Sequence, residues 1–161
     1  MTYSTEEQLG GQNICAFLDM IASSEIGAAL LAESDNGYNV LVGSTPAKPL
    51  LFDSYSAHPN VFNRQCNSTA AGRYQLLHRY AVDYIASLGL PDFSPASQDA
   101  IAVQQIKERG AIANILSGNF GAAVAACANI WASLPGNNYG QHVNQLATLQ
   151  AAYLAAGGTL C

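Results

Sequence analysis

The sequence is poor in charge, and poorest in positive charge. Only 11% of its residues are charged, and six Lys and Arg stand against eleven Asp and Glu, for a formal net charge of −5. The cations are scattered, and Lys107 and Arg109 form the one close pair. Such a chain has no electrostatic footprint for phosphates, which excludes nucleic acid, or an anionic membrane, as a partner held mainly through charge. A long uninterrupted apolar run is also missing. The most apolar stretch, residues 14–32, carries Asp19, Glu25 and Gly27, so no stable membrane insertion is expected. The opening MTYSTEEQLGGQN has neither the basic start nor the apolar centre of a secretory signal, so synthesis and folding in the cytoplasm are expected. Cys15, Cys66, Cys127 and Cys161 form no CxxC pair and their gaps do not suit zinc. Cytoplasmic folding favours thiols, while the even count leaves a bridge open. His58, His78 and His142 lack metal spacing and any Ser or Cys partner motif, so neither a metal nor a cofactor is expected.

What is present is apolar bulk. Half of the 161 residues are apolar, enough for one domain, 1–161, with a sizeable core behind a polar N-terminal extension of about residues 1–12. Hydrophobic periodicity predicts a helix over about 13–25, stopped by Gly27. A second is predicted over about 69–88, with Ser68 as N-cap, Tyr74, Leu77, Ala81, Tyr84 and Leu88 on one face, and Gly89 as terminator. A third opens at Ser94-Pro95 and closes at KERG. The short piece AIANILSG follows, then a helix over about 120–132 and a weaker one over about 141–156. Between the first two helices, YNVLVG alternates at period two and LLF follows the turn STPAKP, which reads as a small hairpin. The fold class is therefore α+β: a helical bulk, a small β region and a groove between them.

One residue breaks the first helix's pattern. Ile14, Leu18 and Ile21 share a face, and the next position on that face is Glu25. It falls in the last turn, at the negative end of the helix dipole. Partial burial and the dipole both favour its protonated form, which is what a general acid for glycosidic cleavage needs. A rim carboxylate that merely follows a buried helix fits the same spacing.

The blocks SSEIG, GYNVLVG, STAAGRYQLL, LGLPDFSPASQDAIAVQQIKERGA and ANIWASLPGNNYGQ, in that order, resemble those of the phage-lambda-type endolysins, which are lysozyme-like lytic transglycosylases. The resemblance reaches from the first helix almost to the C-terminus. It implies a lysozyme-like fold, with a larger helical lobe, a small hairpin lobe and a cleft, and a single catalytic glutamate matching Glu25. It implies cleavage of the β-1,4 bond between N-acetylmuramic acid and N-acetylglucosamine in peptidoglycan without water, leaving 1,6-anhydro ends. It also implies a monomer made in the host cytoplasm, which acts on periplasmic peptidoglycan after a membrane pore-former (holin) opens the way.

Within the matched blocks, several residues suit contacts to a sugar strand. Gly72 permits close approach, and Gln75, off the apolar face, offers an amide donor and acceptor. Tyr74 and Tyr38 offer an apolar plane with a polar tip, though Tyr74 shares the face of Leu77 and fits the core as well. Ser133 and Tyr139 lie in a Pro- and Gly-containing loop; Trp131 shares the face of Val124 and Cys127 and reads as core. QDAIAVQQIKERG reads as a core helix with a solvated end. The chain departs from the family at SYSAHP, where Ser54 and Ala57 replace expected aspartates, and in its acidic balance. Two other readings stay open: a hydrolytic muramidase, whose second carboxylate would be Asp35 or Asp53, and a non-catalytic glycan-binding module.

Overall fold

The computed structural model describes residues 1–136 and 143–161, which divide into two compact units, one of Met1–Ser24 with Ala102–Cys161 and one of Glu25–Ile101. Among the described residues no helix is long and apolar enough to cross a membrane.

The first unit is helical. α1 (Glu6–Leu9) lies inside the segment that reads as a polar extension; Thr5 and Gln8 form a reciprocal capping box, and Leu9 is buried. α2 (Gln12–Ile26) buries Ile14, Phe17, Leu18, Met20 and Ile21, which is more than one stripe, so packing surrounds most of its length. α5 (Pro95–Glu108) ends in this unit, followed by α6 (Ile112–Leu116), α7 (Phe120–Cys127) and α8 (Leu146–Ala155). Phe120 links the core: its ring lies 6.2 Å from Phe17, edge to face, and 5.0 Å from Tyr153. The helix predicted to run to 132 stops at Cys127, where the Ala128 and Ile130 N–H groups bond to carbonyls three residues back and tighten the chain into turns. Trp131 is core, as its spacing predicts. The Asn13 side-chain oxygen accepts from the Thr159 N–H and hydroxyl, at 3.0 and 3.1 Å, tying the C-terminal segment to α2.

The second unit has few regular elements: α3 (Ala28–Glu33), α4 (His78–Leu88) and the start of α5. The segments predicted to form a hairpin meet at isolated antiparallel pairs, Val40 with Leu51 and Thr45 with Lys48, and Leu41 pairs with Ala71. Helix α4 begins at His78, not near Thr69. The reason is local. Ala71 and Leu76 exchange both backbone hydrogen bonds, at 3.0 and 2.9 Å, around a turn in which Gly72 (φ 81°) and Gln75 (φ 50°) are left-handed. The same segment donates from Gly72 N–H to the Val40 carbonyl at 2.8 Å. Ser68 pairs with Asn63, and Thr69 takes the capping role by accepting the His78 N–H at 3.2 Å. Gly89, at φ 63°, ends α4 as its position predicts. Phe52, Leu76, Ala81, Phe93 and Ile101 form the apolar cluster of this unit.

Candidate active site

Glu25 is half-buried and occupies the penultimate position of α2. Ile14, Leu18 and Ile21 beneath it are buried, so the carboxylate ends a stripe that is core up to the last turn. The final carbonyls of a helix have no partner within it. Ser24's carbonyl is one of them, and the Asn144 side-chain amide reaches it at 3.4 Å. That amide also donates to the Ser24 hydroxyl at 3.0 Å, and the hydroxyl in turn donates to the Ser133 hydroxyl at 2.6 Å. The Asn144 N–H donates to the Ser133 carbonyl at 2.9 Å. Ser133, a residue expected to touch sugar, is thus bonded to the residue next to Glu25. Tyr139, the other expected contact in its loop, lies outside the described residues, as does His142.

After Glu25 the chain packs Gly37 tightly. A Cβ there would fall 2.8 Å from the Leu31 side chain and 3.0 Å from that of Ile26, and φ is 88°. The carbonyl before it, on Asn36, accepts from the Arg73 guanidinium. Arg73 is buried, with its guanidinium 5.2 Å from the centre of the Tyr38 ring. The Tyr38 and Tyr74 hydroxyls both donate to one oxygen of buried Asp99, at 2.8 and 2.5 Å. Burial and then the neighbouring Asp99 charge hold the Tyr74 hydroxyl well above the ordinary tyrosine range, so it stays a donor. The structure therefore places both tyrosines in the interior, with their polar tips engaged. Gln75 is half-exposed and its amide donates to the Gly72 carbonyl at 3.0 Å. The close approach that Gly72 permits is that of Gln98: a Cβ at Gly72 would sit 2.2 Å from the Gln98 oxygen.

The two carboxylates weighed for hydrolysis differ. Asp35 is half-buried and accepts from the Tyr55 hydroxyl at 2.5 Å, whereas Asp53 is exposed. His58 is structural: Nε2 donates to the Leu76 carbonyl at 2.8 Å and Nδ1 accepts from the Asn60 N–H at 3.1 Å. His78 contributes to an open pocket of about 460 Å³ with Asn60, Phe62, Thr69 and Arg79. Among the described residues no group of three or more His, Cys, Asp or Glu side chains could hold a metal ion. The four cysteines form no disulfide with one another, and burial pushes the Cys127 thiol up to about 12.

Residues 15–160 match the family described as Endolysin. The chain belongs to that family. It is 47% identical over 155 residues to the endolysin of Escherichia phage P2, covering 91% of this chain and 94% of the relative. It is 48% identical over 149 residues to the endolysin of Escherichia phage lambda, covering 90% and 91%. Two solved structures of bacteriophage lambda lysozyme share the fold. One, complexed with a chitohexasaccharide, has a TM-score of 0.84 at 47% identity and covers 94% of this chain and 97% of its own. The other has a TM-score of 0.81 at 46% identity, with the same coverage. The fold is thus that of lambda lysozyme.

In this endolysin-family chain, the end of α2 offers one half-buried carboxylate held on a braced turn, which suits proton transfer to and from a bound group. Sequence reasoning missed Ser24, Asn144, Arg73, Gln98 and Asp99. Gln98 and Asp99 lie in the first two turns of α5, where polar residues give no sign of burial.

Proposed function

We propose that this protein is a lytic transglycosylase of peptidoglycan. It cleaves the β-1,4 bond between N-acetylmuramic acid and N-acetylglucosamine, with Glu25 as acid and then base. Glu25 protonates the bridging oxygen as the bond from that oxygen to the muramyl anomeric carbon breaks. The resulting carboxylate takes the proton of the same sugar's 6-hydroxyl, whose oxygen bonds to the anomeric carbon. Atoms balance with no water consumed, and the new end is a 1,6-anhydro sugar. One carboxyl serves both steps, and positioning of the 6-hydroxyl supplies much of the rate.

The observation that supports this reading is the SE pair closing α2 with a half-buried carboxylate, in a chain whose relatives are endolysins and whose fold neighbour is described with a bound chitohexasaccharide. Gln75, Ser133, Tyr139, Tyr38 and Tyr74 remain the proposed residues around the glycan. Gln75 and Ser133 would touch it, while Tyr38 and Tyr74, being buried, would act by shaping the wall from behind. We further propose that the protein acts as a monomer, reaches the periplasmic wall through a holin pore, and needs no cofactor.

Mass spectrometry of soluble products from purified peptidoglycan tests the reading. Muropeptides with 1,6-anhydro ends, one water lighter than reducing ends, are expected, and Glu25→Gln should abolish them while strand binding persists. Reducing ends would make the protein a hydrolase and move attention to Asp35 and Asp53. Binding without products from the folded wild type would make it a glycan-binding module.

A further inference from the structure

We infer that Asn144 and Ser133 are positioning residues for Glu25, acting through Ser24. The inference rests on the proposed role of Glu25 as the proton-transfer group. Its basis is the chemistry of a helix end. Glu25 stands where α2 runs out of intrahelical partners, because Gly27, at φ 84°, breaks the helix two residues later. A terminal turn with unsatisfied carbonyls frays, and a side chain on it wanders. Here the turn is fastened at Ser24, one peptide before Glu25, by both of its polar groups. The carbonyl and the hydroxyl accept from the same Asn144 amide, at 3.4 and 3.0 Å.

The direction of these bonds is fixed by chemistry. An amide NH₂ can only donate, so the Ser24 hydroxyl must accept from it and turn its own proton elsewhere. That proton goes to the Ser133 hydroxyl at 2.6 Å. Ser133 and Asn144 are themselves joined by a backbone hydrogen bond of 2.9 Å. The result is a closed ring of three residues whose members cannot shift singly without breaking two contacts. All three side chains are half-buried, so water competes poorly for the bonds. The ring makes Ser133 a brace for the acid-base group rather than, or in addition to, a contact for sugar. It also assigns a role to Asn144, which the sequence pattern had left unmarked.

The test is steady-state kinetics on soluble, uncrosslinked glycan strands, with kcat and KM read separately and Tm measured on every variant. Asn144→Asp is the sharpest change: it keeps the shape but replaces the donor with an acceptor facing the Ser24 carbonyl. Asn144→Asp and Ser24→Ala should lower kcat by about 10- to 100-fold, the usual penalty of a small misplacement, with KM within about twofold of wild type. Ser24→Thr, which keeps the hydroxyl, should recover most of kcat. The Asn144→Asp, Ser24→Ala double variant should be no worse than the more damaged single one. Wild-type kcat in folded Asn144→Asp and Ser24→Ala would overturn the inference. So would a raised KM at unchanged kcat in Ser133→Ala, which would make Ser133 a sugar contact alone. If Asn144→Asp fails to fold, Ser24→Ala and Ser133→Ala decide the matter. Glu25→Gln is run alongside: activity surviving there would overturn the reading of Glu25 itself, whereas its loss with unaffected Ser24 and Asn144 variants would overturn only the brace.

Discussion

The two units solve the same problem with different atoms. In the unit of Met1–Ser24 and Ala102–Cys161, helices satisfy much of the backbone, so the interior can be filled by Phe17, Leu18, Ile21, Phe120 and Val124. Its polar contacts sit at helix ends, as with Asn13 and Asn144. In the unit of Glu25–Ile101 much of the chain is irregular, and its buried carbonyls and N–H groups need partners from side chains. Gln98 supplies three, donating to the Tyr38 and Phe93 carbonyls at 3.0 Å each and accepting the Arg73 N–H at 2.9 Å. His58, Asn63 and Arg73 do the same for the carbonyls of Leu76, Val42 and Asn36. The polar interior of this unit is therefore the cost of an irregular chain, and its residues act as substitutes for a ladder of backbone bonds.

The largest expected effect separates the two interiors directly. Asp99→Ala strips the acceptor from two buried tyrosine hydroxyls. Orphaned buried groups cost about 1–3 kcal/mol each, so a loss of about 2–6 kcal/mol is expected in urea unfolding. Leu18→Ala in the other unit should cost about 2–5 kcal/mol by leaving a cavity. The discriminating variant is Asp99→Asn, which keeps an acceptor and loses the charge. The matched swap Leu18→Met should cost less than about 1.5 kcal/mol. If Asp99→Asn is as mild as Leu18→Met, charge is dispensable in the second interior and the contrast drawn above weakens.

A smaller effect sharpens the claim about Gln98. Gly72→Ala asks for a side chain at φ 81° and places its Cβ against the Gln98 oxygen, so it should cost about 1–3 kcal/mol. Gln98→Ala removes the obstacle but strands one N–H and two carbonyls. The two losses should therefore be less than additive when combined, by about 1 kcal/mol, in a double-mutant cycle of unfolding free energies. Full additivity would mean that backbone conformation alone decides the glycine.

Much of the helical structure of both units was legible in the sequence, because apolar spacing and Gly or Pro punctuation act locally. Ile14, Leu18 and Ile21 announce α2, Ser94-Pro95 opens α5, and Gly89 closes α4. The irregular unit was less legible. Nothing near residues 69–77 says that Gly72 will donate to Val40, 32 residues earlier, and that partner is what keeps the segment out of a helix. The fit of Glu25 to a stripe was visible; what braces it was not. Ser24 and Asn144 are 120 positions apart, and a Ser and an Asn in polar surroundings carry no periodic mark. Gln98 and Asp99 looked bland for a related reason, since polar residues in a first helical turn usually face water.

The gentlest way to probe the irregular interior is with protons. His58 holds a neutral imidazole in place, donating from one nitrogen and accepting at the other. Protonation would set an N–H against the Asn60 N–H. Burial lowers its affinity for a proton below the usual histidine range; the Leu76 carbonyl opposes this, and the nearby His78 adds slightly to it. The sign follows from linkage: with the folded value depressed, the unfolded chain binds more protons, so stability rises with pH in that window. The contribution is complete above about pH 6.5, the ordinary histidine value, and is lost as pH falls below it. Asp92, whose carboxyl is lowered by hydrogen bonds from Ser94, loses stability in the same direction but only below the ordinary carboxylate range, so its loss begins at a lower pH than that of His58. Urea unfolding of wild type should therefore show stability falling between pH 7 and pH 5, and His58→Gln should flatten that slope. Equal slopes in the two proteins would place the proton elsewhere and leave the His58 hydrogen bonds as a contact without pH sensitivity.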